Sequence, residues 1–221
     1  MKIEPIAILC KPVGQLQANC YIVSDRRTGN AVIIDPGDES DFIAETILRG
    51  RLTPVAIFSP HGQFDHVSAA WDLQNKFQVP FLMSEKDVFL LKTMNASIKK
   101  YTGATYARPV PALTVPVEDD AAYTYGGIRV TAHALPGHTP GGVGYEVKNS
   151  NAFFTGDIIF SSGVGGFGDT SHAYSDKNDF ISSVRKILSY PPGIVCYPGH
   201  GDPINLALEK DAIQTSIDTV V

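Results

Sequence analysis

The chain has 221 residues, of which 43% are hydrophobic and 19% charged, and its net charge is −5. That length allows one large domain burying roughly 70% of its unfolded surface, and the composition excludes disordered and fibrous classes. The acidic balance, with basic residues adjacent only in pairs such as Arg26-Arg27 and Lys99-Lys100, leaves no basic field for a phosphate backbone and argues against nucleic acid as a partner.

In chain order, IAILC (6–10), CYIVSD (20–25) and AVIID (31–35) are short apolar or alternating runs punctuated by Gly, Asn and Pro, the pattern of β-strands. After Pro36-Gly37-Asp38, residues Phe42, Ile43, Ile47 and Leu48 recur at helical spacing, and Gly50 stands where that helix would stop. VAIFS (55–59) reads as a buried strand leading into SPHGQFDH, Val67 to Phe77 as a helix, VPFLM (79–83) as a strand, and Ser84 as the N-cap of a further helix. The segment 103–118 carries Pro109, Pro111 and Pro116 and is expected to be an extended connector over the surface. Beyond it, 123–135 reads as a hairpin around Gly126-Gly127, followed by strands 143–147 and 152–155, a glycine-rich loop, a helix near 176–189, the strand IVCY and a terminal helix. The expectation is a single domain over 1–221, built of two strand-rich halves, about 1–102 and 119–221, with two sheets face to face and helices outside.

Three widely spaced cysteines, Cys10, Cys20 and Cys196, without a C-x-x-C pair, suggest neither a disulfide framework nor a thiolate zinc site. No run of about 18 apolar residues occurs. A cytoplasmic protein with a small-molecule substrate and no membrane partner is expected.

Six positions carry metal-capable chemistry: His61, Asp65 and His66 in SPHGQFDH, His138 in LPGHTPGG, Asp157 in FFTGD, and His200 in YPGHGDP. Four of the chain's six histidines are in this set, each at a strand-to-loop exit where rigid backbone can aim a side chain. A lone loop histidine is more often a hydrogen-bonding residue than a ligand. Six such side chains inside Gly/Pro-flanked motifs in four loops point instead to a metal site, and imidazole with carboxylate suits zinc, iron or manganese.

With these motifs in this order, NCYIV, VIIDPGD, H-x-x-x-D-H, PGHTPGG, FFTGDIIF and PGHGDP, the chain resembles the metallo-β-lactamase-fold hydrolases, in particular their short glyoxalase II-like branch, over nearly its whole length. The resemblance implies an α/β fold, a four-layer αβ/βα sandwich of two mixed sheets with helices outside. It also implies a dinuclear centre, one metal held by His61, residue 63 and His138, the other by Asp65, His66 and His200, with Asp157 bridging. Position 63 is normally His in that family and is Gln here. An amide oxygen is a poorer zinc ligand than imidazole, so the first site is expected to be the weaker of the two.

The loop SSGVGGFGDTSH spells G-x-G-x-x-G at Gly163, Gly165 and Gly168. A dinucleotide fingerprint needs its glycine turn to open directly into a helix, and here Asp169 to Tyr174 intervene, so the loop is expected to lie over the metal site. Glutathione-thioester hydrolases of the family carry a Lys and a Tyr where this chain has Gly166 and Gly168, which puts glutathione recognition in doubt. Gly166, Phe167 and His172 are the candidate substrate contacts.

The function expected is metal-dependent hydrolysis of an ester-like, above all a thioester, bond by a hydroxide generated on the metal, with Asp65 and Asp157 as the catalytic carboxylates. Zinc is the expected cofactor, one or two ions, with iron or manganese as alternatives. His61, His138 and Asp157 also form the two-His-one-carboxylate set of non-haem iron oxygenases. Persulfide dioxygenases of the resembled fold use the matching three positions for a single iron, so the resemblance implies a persulfide dioxygenase as a second reading. A metal-depleted binding module is a third.

Overall fold

The computed structural model describes residues 5–105, 107–161, 163–167 and 173–219. The first half runs β1 (Ile6–Val13), β2 (Ala18–Asp25), β3 (Asn30–Ile34), α1 (Ser40–Arg49), β4 (Thr53–Phe58), α2 (Phe64–Val67), α3 (Ala70–Phe77), β5 (Phe81–Met83), a 3-10 turn at Glu85–Asp87, α4 (Val88–Thr102) and β6 (Val115–Pro116). Its six strands form one sheet in sequence order, antiparallel from β1 to β3 and parallel from β3 to β6. The second half runs β7 (Ala122–Tyr125), β8 (Ile128–Ala134), β9 (Val143–Val147), β10 (Ala152–Gly156), β11 (Ile159–Phe160), β12 (Gly163–Val164), α5 (Lys177–Leu188), β13 (Val195–Pro198), β14 (Ile204–Asn205) and α6 (Leu206–Asp218). Its main sheet has the order β14-β13-β10-β9-β8-β7, with β10 and β13 parallel and the other pairs antiparallel.

Side-chain alternation explains the layers. Along β2 and β3, Cys20, Ile22, Ala31 and Ile33 face an outer core shared with α1, α3 and α4, while Tyr21, Val23, Val32 and Ile34 face an inner core between the sheets. These strands are buried on both faces, which is why they read as unbroken apolar runs. The second sheet does the same: Phe154 and Tyr145 point inward, and Phe153 and Cys196 point out to Phe180, Val184 and Ile213 on α5 and α6. The result is the expected αβ/βα sandwich. Burial of each of these large apolar side chains contributes on the order of 1.5–3 kcal/mol, so the layered core is the main source of stability.

Four local expectations differ. The helix over Val67 to Phe77 is two helices, because the Ala69 amide donates to the Pro36 carbonyl at 3.1 Å instead of continuing the helical ladder. In α1 the buried stripe is Ile43, Ala44 and Ile47, whereas Phe42 and Leu48 flank it at 43% and 59% exposure. The proline-rich connector does not stay outside the sheet: Val115 and Pro116 pair with Leu82 and Met83 as an edge strand, a place that tolerates proline because no ladder bond needs its amide. The start of the glycine-rich loop forms a ladder, with Gly163 and Val164 of β12 paired to Phe160 and Ile159 of β11. Among the described residues no helix is long and apolar enough to cross a membrane.

Candidate metal centre

His61 follows β4, His138 follows β8, Asp157 follows β10 and His200 follows β13, so four loops leave the C-terminal ends of strands from both sheets at one edge of the sandwich. The first loop is shaped by Ser59, whose hydroxyl donates to the His61 carbonyl at 2.7 Å, while the Tyr145 hydroxyl donates to the Ser59 carbonyl at 2.9 Å. Gln63 then stands at the N-cap of α2 in extended conformation, and the His66 amide donates to its carbonyl at 3.0 Å. One helical turn thereby presents Asp65 and His66 side by side. The fourth loop is tied to β2: the Asn19 amide donates to Gly199 O at 2.7 Å, and its side chain donates to Pro198 O at 3.1 Å and Gly201 O at 2.7 Å.

These loops bring the predicted ligands together in two groups. His61, His138 and Asp157 offer one set of donor atoms, and Asp65, His66 and His200 another, the atoms of each lying within 4.8 Å of one another. Asp157 joins the groups: its Oδ2 is 3.6 Å from His66 Nε2, 3.6 Å from His200 Nε2 and 3.9 Å from His138 Nε2. Asp65 Oδ2 lies 3.4 Å from both His66 Nε2 and His200 Nε2. The Gln63 amide oxygen sits 3.4 Å from His61 Nε2 and 3.2 Å from His138 Nε2.

The sequence model of the Metallo-beta-lactamase superfamily matches residues 13–200, a stretch that contains every one of these side chains. The chain belongs to the metallo-beta-lactamase superfamily. It is 31% identical over 204 residues to the probable metallo-hydrolase YqgX of Bacillus subtilis, covering 90% of this chain and 92% of that protein. It is 33% identical over 201 residues to the hydroxyacylglutathione hydrolase GloC of Haemophilus influenzae, with the same coverage. The crystal structure of TTHA1623 in a di-iron-bound form superposes with a TM-score of 0.82 at 29% identity, over 94% of this chain and 99% of that one.

The donors of this superfamily member fit divalent cations. His66 Nε2 and Asp157 Oδ1 are buried without a hydrogen-bond partner, and a cation is what such converging lone pairs accommodate. Burial opposes charge on His66, but Asp35, Asp65 and Asp157 outweigh it and hold the imidazole pKa well above 6.5. Burial likewise pushes Asp157 up, and His66, His61 and His138 more than reverse it, leaving the carboxyl below the ordinary range. The carboxylates gathered around His66 therefore favour positive charge at this point of the site, as a cation-binding centre requires. Gly199 is indispensable to this packing: a Cβ there would stand 2.1 Å from Asp157 Oδ1 and 2.8 Å from His66 Cε1.

Two buried carboxylates absent from the expected site orient it. Asp35, at the end of VIID, meets His66 Nδ1 at 2.8 Å and so turns Nε2 toward the centre. Asp87, wholly buried, accepts from Gly62 N at 3.0 Å, Thr139 Oγ1 at 2.7 Å and Gly141 N at 2.7 Å, clamping the loops of His61 and His138 together. An acidic residue closing an apolar strand before Pro-Gly was the available signal for Asp35. Nothing local marks Asp87, whose partners lie 25, 52 and 54 residues away.

Beside the donors lies a cavity of about 820 Å³, with Leu16, Phe64, Leu90, Phe160 and Tyr174 in its walls. One face of α4 supplies Thr93, Ser97, Lys100 and Tyr101. Gly166 lines this cavity, and its carbonyl accepts from His138 Nδ1 at 2.7 Å. Phe167 is turned elsewhere: it stacks on Phe180 at 4.4 Å and joins the core beneath α5, so it anchors the loop where a substrate contact was expected. His172 lies outside the described residues. Gly165 serves close approach to protein, since a Cβ there would meet the Asp157 carbonyl at 1.8 Å.

Proposed function

We propose that this protein is a metal-dependent hydrolase that cleaves the thioester bond of a small acyl substrate. The observation that carries the reading is the pair of donor groups meeting at Asp157 Oδ2 on the wall of a cavity large enough for a substrate of several hundred daltons. His61, Gln63, His138 and Asp157 would hold one cation, and Asp65, His66, His200 and Asp157 the other. When bound, the cations supply Lewis acidity, which polarises an acyl carbonyl and lowers the pKa of water toward about 7.

The chain's own residues do the rest. Asp65 and Asp157 present carboxylate oxygens that orient the attacking water and accept its proton. Asp35 and the Gly166 carbonyl fix the His66 and His138 rings, so that little reorganisation is needed during reaction. Leu16, Phe64, Leu90 and Phe160 take the apolar part of the substrate and exclude water from the acyl carbon. A thiolate, whose conjugate acid has a pKa of about 8.5, departs without a strong general acid.

Hydroxyacylglutathione, the substrate class named for GloC, is itself a thioester. The absence of the Lys and Tyr side chains at Gly166 and Gly168 favours a thiol carrier other than glutathione. The test is thiol release from matched acyl thioesters, of glutathione and of a short neutral thiol, by chelated protein reloaded with zinc, manganese or iron. Metal-dependent release, faster with the neutral thiol, is expected; a metal-loaded protein that hydrolyses none of them overturns the proposal.

A second reading is supported by the grouping of His61, His138 and Asp157, the two-His-one-carboxylate set of mononuclear iron oxygenases. Oxygen consumption with a persulfide by the iron-loaded protein, at one iron per chain, would replace the hydrolase reading.

A further inference from the structure

Position 63 carries an amide among imidazoles, and the structure specifies how it is held. The Gln63 Nε2 donates to the Tyr174 hydroxyl at 2.9 Å, so Oε1 is the face turned toward His61 and His138, at 3.4 and 3.2 Å. The Tyr174 ring is itself placed by an edge contact with Phe89, centroids 5.5 Å apart at 71°. At His138 the direction of the proton follows from its partner. Gly166 O is a carbonyl and only accepts, so Nδ1 carries the hydrogen and Nε2 presents a lone pair to the Gln63 oxygen. With His138 neutral, two acceptors face each other across 3.2 Å, and His61 Nε2 lies 3.4 Å from the same oxygen. A cation among the three atoms turns that convergence into coordination.

We propose that Gln63 ligates the first-site cation through Oε1, and that Tyr174 is the positioning residue that holds the amide in its ligating orientation. By accepting the amide N–H, Tyr174 fixes the amide plane and shifts electron density onto Oε1, as partners of histidine ligands do for imidazole. Residue 63 is then a working ligand tuned by a residue 111 positions away, and the departure from histidine does not empty the site. This inference rests on the chain holding metal at these residues and is independent of which bond is hydrolysed.

The test is a competition titration of the chelated protein with Zn²⁺ against a chromophoric chelator, resolving the tighter and the weaker site, with a parallel Co²⁺ titration read by its visible spectrum. In the parent, two sites are expected. Tyr174→Phe should weaken the weaker site by about 10-fold or more, as loss of an outer partner of a ligand does, and alter the spectrum of its Co²⁺. The tighter site should stay within about twofold, the span expected for a centre whose ligands and partners are untouched. Gln63→His should tighten the weaker site and make it indifferent to Tyr174→Phe. A Tyr174→Phe chain with an unchanged thermal midpoint and both affinities intact, or with both weakened equally, overturns the proposal. So does an equal effect of Tyr174→Phe in the Gln63→His background. A parent that binds no metal overturns it together with the metallo-hydrolase reading, whereas two sites indifferent to Tyr174 leave that reading standing.

Discussion

Asp87→Asn probes the clamp that joins the two loops of the first site. The carboxylate uses both oxygens: Oδ1 accepts from Gly141 N, and Oδ2 accepts from Gly62 N and Thr139 Oγ1. An asparagine amide puts an NH₂ group in place of one of them. If it replaces Oδ1, the Gly141 amide loses its acceptor. If it replaces Oδ2, the Thr139 hydroxyl can rotate to accept, but the Gly62 amide cannot. Either orientation leaves one buried backbone N–H facing another donor, a loss of about 1–3 kcal/mol, moderated because the neutral amide escapes the desolvation that raises the Asp87 pKa. Urea unfolding of chelated parent and variant at pH 7, followed by far-UV circular dichroism, measures it, and the thermal midpoint should fall by roughly 2–4 °C per kcal/mol. Because the folded pKa lies above the ordinary 3.8, the Asp87 contribution is complete below 3.8 and declines as pH rises through the folded value. The gap between parent and variant should therefore be widest in acid and narrow toward neutrality. A difference below about 0.5 kcal/mol at every pH, within the range of surface substitutions, would refute the clamp.

Gly199→Ala should abolish metal binding at the Asp65, His66 and His200 site, since its Cβ would stand 2.1 Å from Asp157 Oδ1; a normal metal content by elemental mass spectrometry would contradict this. Chelation should lower the thermal midpoint by about 5–10 °C relative to protein holding free zinc at about 100 times a site's dissociation constant, because binding to the folded state alone is then worth about 2.7 kcal/mol. An unchanged midpoint would mean that the buried donors take no metal. Asp25, held by the side chain and backbone of Arg27 at a pKa of about 2, contributes stability that is present above 3.8 and lost as pH falls through about 2. In chelated protein, Asp25→Asn should flatten that limb of the urea midpoint, and an identical limb in the variant would refute the assignment.

The candidate ligands were legible in the sequence because each sits in a short Gly/Pro-flanked motif at a strand end, and strands buried on both faces declare themselves as apolar runs. What stayed hidden depends on contacts between distant segments. The break between α2 and α3 follows from Pro36 and Gly37 packing into the start of that segment, where a Cβ on Gly37 would meet the Asp65 carbonyl at 1.9 Å. Tyr174 reaches Gln63 from the far side of the chain, and Asp87 looks locally like a first-turn acid of a helix capped by Ser84. Phe167 was misplaced for the opposite reason: an aromatic in a glycine-rich loop suggests a pocket, but its ring stacks on Phe180 of α5.

Hydrolysis is proposed to depend on two cations held by the donor groups that meet at Asp157. The most direct measurement is thioester hydrolysis by the chelated protein as a function of added zinc equivalents, with bound zinc counted in the same samples. No turnover is expected without metal, and the rate should climb until the second equivalent is bound. Hydrolysis that survives chelation, or two bound zinc ions with no hydrolysis of any acyl thioester, would contradict it.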